Sequence, residues 1–314
     1  MKTALLFAGQ GSQSVGMGLD LYNNFPIARQ TFQEIDDFLG RHLTHLMFEG
    51  DITALTLTQN AQPAIMAVGM AVVRVLETEL GHPLPANFAA GHSLGEYTAL
   101  CAAGALSLET TTRLLEKRSL AMAKAAETVK GGMAAVLGLS LEQVFDLIQT
   151  VSTKEVPLYP ANDNCEGQII VSGSIQAIEK LIPLAEKAGA KRVIPLAVSG
   201  AFHCPFMQSA QDEMAPIILG ATVNSPKIPV ISNVQAMPET NPDDIRQNLI
   251  TQITAPVRWR ESVLYLKDQG INTYIECGNG KVMAGLIRRI DPTATVLSVS
   301  DKGTIDQALS LIGQ

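Results

Sequence analysis

The sequence predicts an α/β protein built on a parallel sheet, with a smaller antiparallel unit set into it. Short apolar runs of strand length alternate with longer segments of helical periodicity along most of the 314 residues. Such alternation builds a parallel sheet covered by helices on both faces. Between residues 130 and 198 the order becomes β-α-β-β-α-β, the signature of a ferredoxin-like unit. A Gly-x-Ser-x-Gly run, Gly91-His92-Ser93-Leu94-Gly95, stands where a strand passes into a helix.

Ala4-Leu5-Leu6-Phe7-Ala8 reads as the first buried strand, stopped by Gly9-Gln10-Gly11-Ser12-Gln13. This turn lacks the third glycine of a dinucleotide fingerprint, because position 14 is Ser, and no acidic residue closes a second strand. Its remaining use is to aim backbone N–H groups at an anion. Residues 16–48 have a helical pattern, with Pro26 suited to a first turn and Ile35, Phe38 and Leu39 on one face. His42 and His45 lie beside leucines with no partner carboxylate expected, and read as structural. Residues 59–80 form a long helix, apolar nearly all round from Ala61 to Val73 and so expected to be buried.

The strand Asn87–Ala90 leads into the elbow, and the helix after it is rich in small residues, as close packing under a sheet requires. A second helix, 108–127, carries Arg113, Lys117 and Arg118. The inserted unit, residues 130–198, is expected to have strands at 133–137, 156–161, 168–172 and 191–196 and helices at 141–150 and 174–187. The larger unit is then 1–129 with 199–314. Its second part is read as helix 207–219, strand 229–232, helices 242–252 and 259–269, strand 273–277, helix 280–289, strand 295–299 and a last helix. Gly278-Asn279-Gly280-Lys281 resembles a phosphate loop only superficially, lacking the first glycine and the Ser or Thr after the lysine.

Composition narrows the function. With 46% hydrophobic and 17% charged residues the chain supports a large core. A net charge of −7 argues against a general nucleic-acid-binding face, while leaving room for a local basic patch. No apolar run approaches the ~18 residues that span a membrane, and the first strand is too short for a signal peptide. Cys101, Cys165, Cys204 and Cys277 are widely spaced without a metal-ligand pattern. Free thiols of this kind point to a reducing compartment, with the cytoplasm as the expected location.

At the elbow, the turn lifts the Ser93 hydroxyl clear of the sheet, at the positive end of the following helix. A serine hydroxyl needs a base to take its proton. His92 is adjacent in sequence and points away on a tight turn, which leaves His203, in Phe202-His203-Cys204-Pro205. A hydrolase would normally place an acid between serine and histidine in the chain. Asp163 alone stands in an expected strand-end loop, so a backbone carbonyl is the alternative third group. Arg118, on the helix after the elbow helix, is placed to bind a carboxylate bidentately, which lysine does less well.

Together, Gly9-Gln10-Gly11-Ser12-Gln13, Gly91-His92-Ser93-Leu94-Gly95-Glu96-Tyr97, Arg118, Phe202-His203, Gln252 and Glu276-Cys277-Gly278-Asn279-Gly280-Lys281 resemble the malonyl-CoA:acyl-carrier-protein transacylase family. Its relatives include the acyltransferase domains of fatty acid and polyketide synthases. The resemblance implies an α/β-hydrolase-like core with an inserted ferredoxin-like subdomain. It also implies a ping-pong transfer of malonyl from malonyl-CoA to the phosphopantetheine thiol of an acyl carrier protein. In that pattern Ser93 is acylated, His203 is base and then acid, and the N–H groups of Gln10 and Leu94 form the oxyanion hole. Arg118 pairs with the malonyl carboxylate, and Gln252 offers a carbonyl to the imidazole. His92 and Asn162 lie near the pocket, and Phe202 fills the space that an α-methyl branch would need. No cofactor or metal is implied, since coenzyme A and phosphopantetheine thioesters are substrates.

Two departures stand out. Ala8 replaces a common proline before the Gly-Gln-Gly turn, and Cys165-Glu166 interrupts the usual Asn-Ser-Pro-Gly-Gln run. The carrier is acidic in this family, so docking would need a positive patch, for which Lys191-Arg192 and Lys281 with Arg288-Arg289 are candidates. Three other readings share the elbow: a discrete acyltransferase of a polyketide synthase or malonate decarboxylase, a serine thioesterase or hydrolase, and a non-enzymatic scaffold.

Overall fold

Strand β1 (Thr3–Phe7) is buried along its whole length, as an interior strand of a parallel sheet must be, and this explains its unbroken apolar run. The computed structural model describes residues 2–313. After β1 come three helices where one helical stretch was expected: α1 (Leu19–Asn24), α2 (Pro26–Leu39) and α3 (Leu43–Glu49). Phe25 is extended at the first joint, ahead of Pro26 at the first position of α2, and Gly40 ends α2 at a φ of 64°. His42, expected to have no carboxylate nearby, has Nδ1 3.8 Å from Asp36 Oδ2. Its ring is exposed, so the contact is a screened surface one.

Helix α4 (Ile52–Thr56) precedes α5 (Thr58–Leu80), which is buried almost all round and packs against α2. Then come β2 (Phe88–Gly91), α6 (Leu94–Ala102), which also packs against α5, and α7 (Leu108–Thr128). The second sheet is built from β3 (Gly132–Leu137), α8 (Leu141–Val151), β4 (Leu158–Cys165), β5 (Gln168–Gly173), α9 (Ile175–Lys187) and β6 (Arg192–Pro195). The chain returns through α10 (Gln208–Leu219), β7 (Val230–Ile231), β8 (Pro238–Glu239), α11 (Pro242–Gln252) and α12 (Trp259–Asp268). It closes with β9 (Thr273–Cys277), α13 (Val282–Ile290), β10 (Thr295–Val299) and α14 (Lys302–Ile312).

The large sheet has the order β10-β9-β1-β2-β7-β8 and is parallel from β10 to β7. Its β8 edge departs from the uniformly parallel expectation: β8 runs antiparallel to β7. The turn between them is too short for a crossover, with Ala236 N–H donating to Ser232 O at 2.8 Å, and a tight return can only be antiparallel. The ends of β1 and β2 thus lie side by side at the sheet's centre, where ligands bind in open α/β sheets.

The small sheet, β4-β5-β3-β6, is antiparallel throughout. Its two faces serve two cores, following the period of two along a strand. Ala134 and Val136 join Val144, Ile148 and Leu181 under α8 and α9, whereas Met133 and Ala135 join the main core. Strand β4 runs four residues beyond its expected end at 161. The polar Asn162-Asp163-Asn164 stays extended because it is paired on both sides, with β5 and with Val257: Val257 N–H donates to Ala161 O at 2.8 Å and Asp163 N–H to Val257 O at 3.0 Å.

Candidate active site

The elbow is strained, and its neighbours hold it. Ser93 has φ 55° and ψ −110°, a conformation costing on the order of 1–3 kcal/mol for a residue with a side chain. Ser93 N–H donates to Asn233 Oδ1 at 2.7 Å, and Asn233 Nδ2 donates to Gly91 O at 2.7 Å. Gln252 Nε2 donates to Ser93 O at 3.0 Å. The flanking glycines are sterically required: a Cβ on Gly91 would drive into the Gly95 carbonyl, and one on Gly95 into the Phe7 carbonyl.

Ser93 Oγ lies 2.8 Å from His203 Nε2, and His203 Nδ1 lies 2.9 Å from the Gln252 carbonyl oxygen. A carbonyl only accepts, so Nδ1 carries the proton and Nε2 is left to accept the serine O–H. His203 is buried, and it too has a positive φ, 57°. Burial, with the Arg118 cation adding to it, pulls its pKa down to about 3, so the ring is neutral near pH 7. Asp163, the one acid considered behind the histidine, is elsewhere: it sits within β4 and pairs with Arg260, whose Nε is 2.9 Å from Oδ2.

Arg118, on α7, is fully buried, and every side-chain acceptor it meets is neutral. Nη1 donates to Gln62 Oε1 at 2.7 Å, and Nη2 donates to Gln252 Oε1 at 2.8 Å and to Ser93 Oγ at 3.1 Å. Among the described residues it has no carboxylate within ion-pair distance. Its guanidinium stands 5.4 Å from the centre of the Tyr97 ring. A buried cation with no carboxylate in contact is costly unless something anionic arrives.

Ser93 opens onto a cavity of about 310 Å³, large enough for an acyl group and the end of its carrier arm. Gln10, Leu94, His92, Asn162, Phe202 and His203 all line it. Leu94 is the first residue of α6, so its N–H is one of the unpaired donors of a helix start. Neither that N–H nor the one of Gln10 meets an acceptor of the chain among the described residues. His92 Nε2 lies 2.9 Å from Asn164 Oδ1, and burial lowers the ring's pKa. Gln252 makes four of the site's hydrogen bonds, its backbone carbonyl with His203 and its side-chain amide with Arg118, Ser93 and Glu96.

Sequence reasoning missed Asn233, Gln62 and the role of Glu96. Asn233 follows Ser232 at the carboxyl end of β7, and a polar pair at the end of an interior strand is the available signal. Glu96 is fully buried and accepts from Asn233 N at 3.1 Å and Gln252 Nε2 at 2.6 Å. Of the basic residues considered for docking, Lys191, Arg192, Lys281 and Arg288 are exposed. Arg289, also exposed, donates to Gln168 Oε1 and Glu166 O.

A serine hydroxyl held against a neutral imidazole, at a strand–helix elbow over an apolar cleft, is the arrangement of acyl-transfer enzymes. A family model described as "Acyl transferase domain" matches residues 4–296. The chain is 42% identical over 311 residues to the malonyl CoA-acyl carrier protein transacylase of Bacillus subtilis, covering 99% of this chain and 97% of the relative. It superposes on the crystal structure of an acyl-carrier-protein S-malonyltransferase from Bartonella henselae with a TM-score of 0.96 at 44% identity, each chain covered completely. A malonyl-transacylase solved in complex with its type II PKS acyl-carrier protein is similar at a TM-score of 0.94 and 37% identity, covering 99% and 100% of the two chains. The chain belongs to the acyl transferase family, in its malonyl CoA-acyl carrier protein transacylase branch.

Proposed function

We propose that this enzyme moves the malonyl group from malonyl-CoA to the phosphopantetheine thiol of an acyl carrier protein, through a malonyl ester on Ser93, supplying malonyl units for fatty acid synthesis. The observation that carries the reading is Arg118, a buried guanidinium that touches no carboxylate, 3.1 Å from the Ser93 hydroxyl. A malonyl group esterified there brings its free carboxylate within reach of that cation, whose planar fork suits it.

Ser93 Oγ attacks the thioester carbon while its proton passes to His203 Nε2. The oxyanion is held by the N–H groups of Gln10 and Leu94; losing one such donor typically costs ~3 kcal/mol in the transition state. The C–S bond breaks, and His203 gives its proton to the departing coenzyme A sulfur. In the second half the carrier thiol gives its proton to His203, its sulfur takes the acyl carbon, and Ser93 Oγ recovers the proton. The Gln252 carbonyl steadies the imidazolium without adding charge, and Asn162 and His92 shape the cavity wall. Phe202 occupies the space beside His203 and disfavours branched acyl groups. Thioesters are the substrates, and this chemistry asks for no cofactor or metal.

We read residues 1–129 and 199–314 as an α/β-hydrolase-like catalytic core and 130–198 as an inserted ferredoxin-like subdomain. The strand order β4-β5-β3-β6 with two helices supports the latter. A second cleft, bordered by Ile52 and Leu57, shares Gln10, Thr56, Ala197 and Val198 with the main cavity and suits a long flexible arm. For the carrier we favour the basic rim of Lys191-Arg192, Lys281 and Arg288-Arg289. A chain of contacts from Lys191 through Gly138, Gly167 and Gln168 to Arg289 supports treating most of it as one surface. The cytoplasm is the compartment where these substrates meet; among the described residues no helix is long and apolar enough to cross a membrane.

Incubation with malonyl-CoA, with and without holo carrier protein, tests the function. Coenzyme A release beyond one equivalent should require the carrier. Steady release without it would instead make the chain a thioesterase.

A further inference from the structure

One hydrogen bond beyond Gln252, two buried carboxyls meet. Glu96, fully buried on α6, offers Oε2 to Gln252 Nε2 and Asn233 N. Glu239, 4% exposed on β8, offers Oε2 to Asn248 Nδ2 at 2.8 Å. The remaining oxygen of each, Oε1, is buried and receives no N–H or neutral hydroxyl of the chain among the described residues. The two carboxyls are near enough to act on each other's charge, and both of these orphaned oxygens lie out of reach of water. Two carboxylates in contact in a dry site cannot both stay ionised, and a carboxyl–carboxyl hydrogen bond needs a proton.

We propose that Glu96 and Glu239 share one proton between their Oε1 atoms, and that this acid pair positions Gln252 and Asn233, and through them His203, Arg118 and the strained Ser93. With one proton, all four carboxyl oxygens are satisfied by three N–H donors and one O–H. Gln252 Nε2 is then fixed, and its carbonyl and Oε1 keep their aim at His203 Nδ1 and Arg118 Nη2. Asn233 is fixed by its own N–H and holds the Ser93 N–H. The pair carries a single negative charge and faces one cation, Arg118 from α7, with the Tyr97 hydroxyl from α6 also near Glu96. Asp244 from α11 faces Glu239. Burial, then Glu239, raises Glu96 well above the carboxylate range, and burial pushes Glu239 up to about 7. A polar cleft bordered by Glu239, Asn241, Asp244 and Asn248 gives the proton a route to solvent. Glu96 and Glu239 are positioning residues, since neither lines the cavity at Ser93.

The inference rests on the reading of Ser93 and His203 above, so its test includes a measurement that does not depend on turnover. In Glu239→Gln the amide N–H takes the place of the shared proton; in Glu239→Leu nothing does. At slightly alkaline pH the wild-type enzyme should show the infrared carbonyl stretch of one protonated, buried carboxyl, and Glu239→Gln should lose it as Glu96 ionises. For malonyl transfer, Glu239→Leu should lower kcat at least tenfold with little change in KM, Glu239→Gln should restore most of it, and only wild type should lose rate as the pair's proton leaves at high pH. Absence of the protonated-carboxyl signal in wild type would overturn the proposal. So would equal rates and equal pH profiles for the Leu and Gln variants, even if Ser93 is acylated normally in both, in which case the dyad would stand without the acid pair.

Discussion

Around Arg260, where α12 meets β4, every charge has its counter-charge: Nε lies 2.9 Å from Asp163 Oδ2 and Nη1 3.2 Å from Glu166 Oε2. Around Arg118, beneath Ser93, the donors meet two neutral amide oxygens and a hydroxyl, although that side chain is the more deeply buried. The seam therefore spends its arginine on joining the small sheet to the rest of the molecule. The floor beneath Ser93 keeps a cation whose direct partners are all neutral, with the nearest negative charge set behind the Gln252 amide. Even at the seam the balance is close: burial raises the Asp163 pKa despite Arg260, so desolvation outweighs the attraction of the pair.

Substitutions at the floor should change chemistry, and those at the seam should change stability. The largest effect is expected for His203→Ala, a loss of about 10³- to 10⁴-fold in acylation rate measured by stopped-flow release of coenzyme A. Next is Arg118→Ala, for which malonyl transfer should fall by about 10²- to 10³-fold while acetyl transfer falls far less. Equal losses would remove carboxylate recognition from Arg118 and dissolve the contrast. At the seam, Arg260→Met should cost about 2 kcal/mol in urea unfolding by stranding Asp163, and Asp163→Asn about 1 kcal/mol or less, both with near-normal transfer. A seam variant that lost transfer at unchanged stability would break the division.

The smallest effect expected is that of mild acid on the base. Because the His203 pKa lies near 3, the acylation rate should show no histidine limb as pH falls from about 8 to about 5. Stability has the opposite sensitivity: the unfolded chain takes up a proton at the ordinary histidine pKa, and the folded one does not until about 3. The neutral-histidine contribution is therefore present above about 6.5 and is lost as pH falls from there toward 3. Melting temperatures across that window, compared between wild type and His203→Gln, check the sign.

Much of this was legible in the sequence because the signals were local. The elbow glycines, the apolar β1 run and the small-residue helix α6 each follow from short-range sterics or burial. The period of two along β3 separates the two cores without reference to anything distant. What escaped was long-range. Asn233, 140 residues from Ser93, is identifiable only once β7 lies beside β2. Nothing local in α6 announces a partner for Glu96, because Glu239 lies far along the chain on β8. Asn162-Asp163-Asn164 has turn chemistry, and pairing with β5 on one side and Val257 on the other keeps it a strand. The three-way break in residues 16–48 turned on Phe25 and Gly40, where a periodic pattern hides two joints.

The central claim is that Ser93 carries malonyl between two thiols. Intact-protein and peptide mass spectrometry tests it most directly, after a brief exposure to malonyl-CoA and again after adding holo carrier protein. One malonyl group should appear on Ser93, vanish when the carrier is added, and be absent throughout in Ser93→Ala. A malonyl group on another residue, or one that persists in Ser93→Ala, would contradict it.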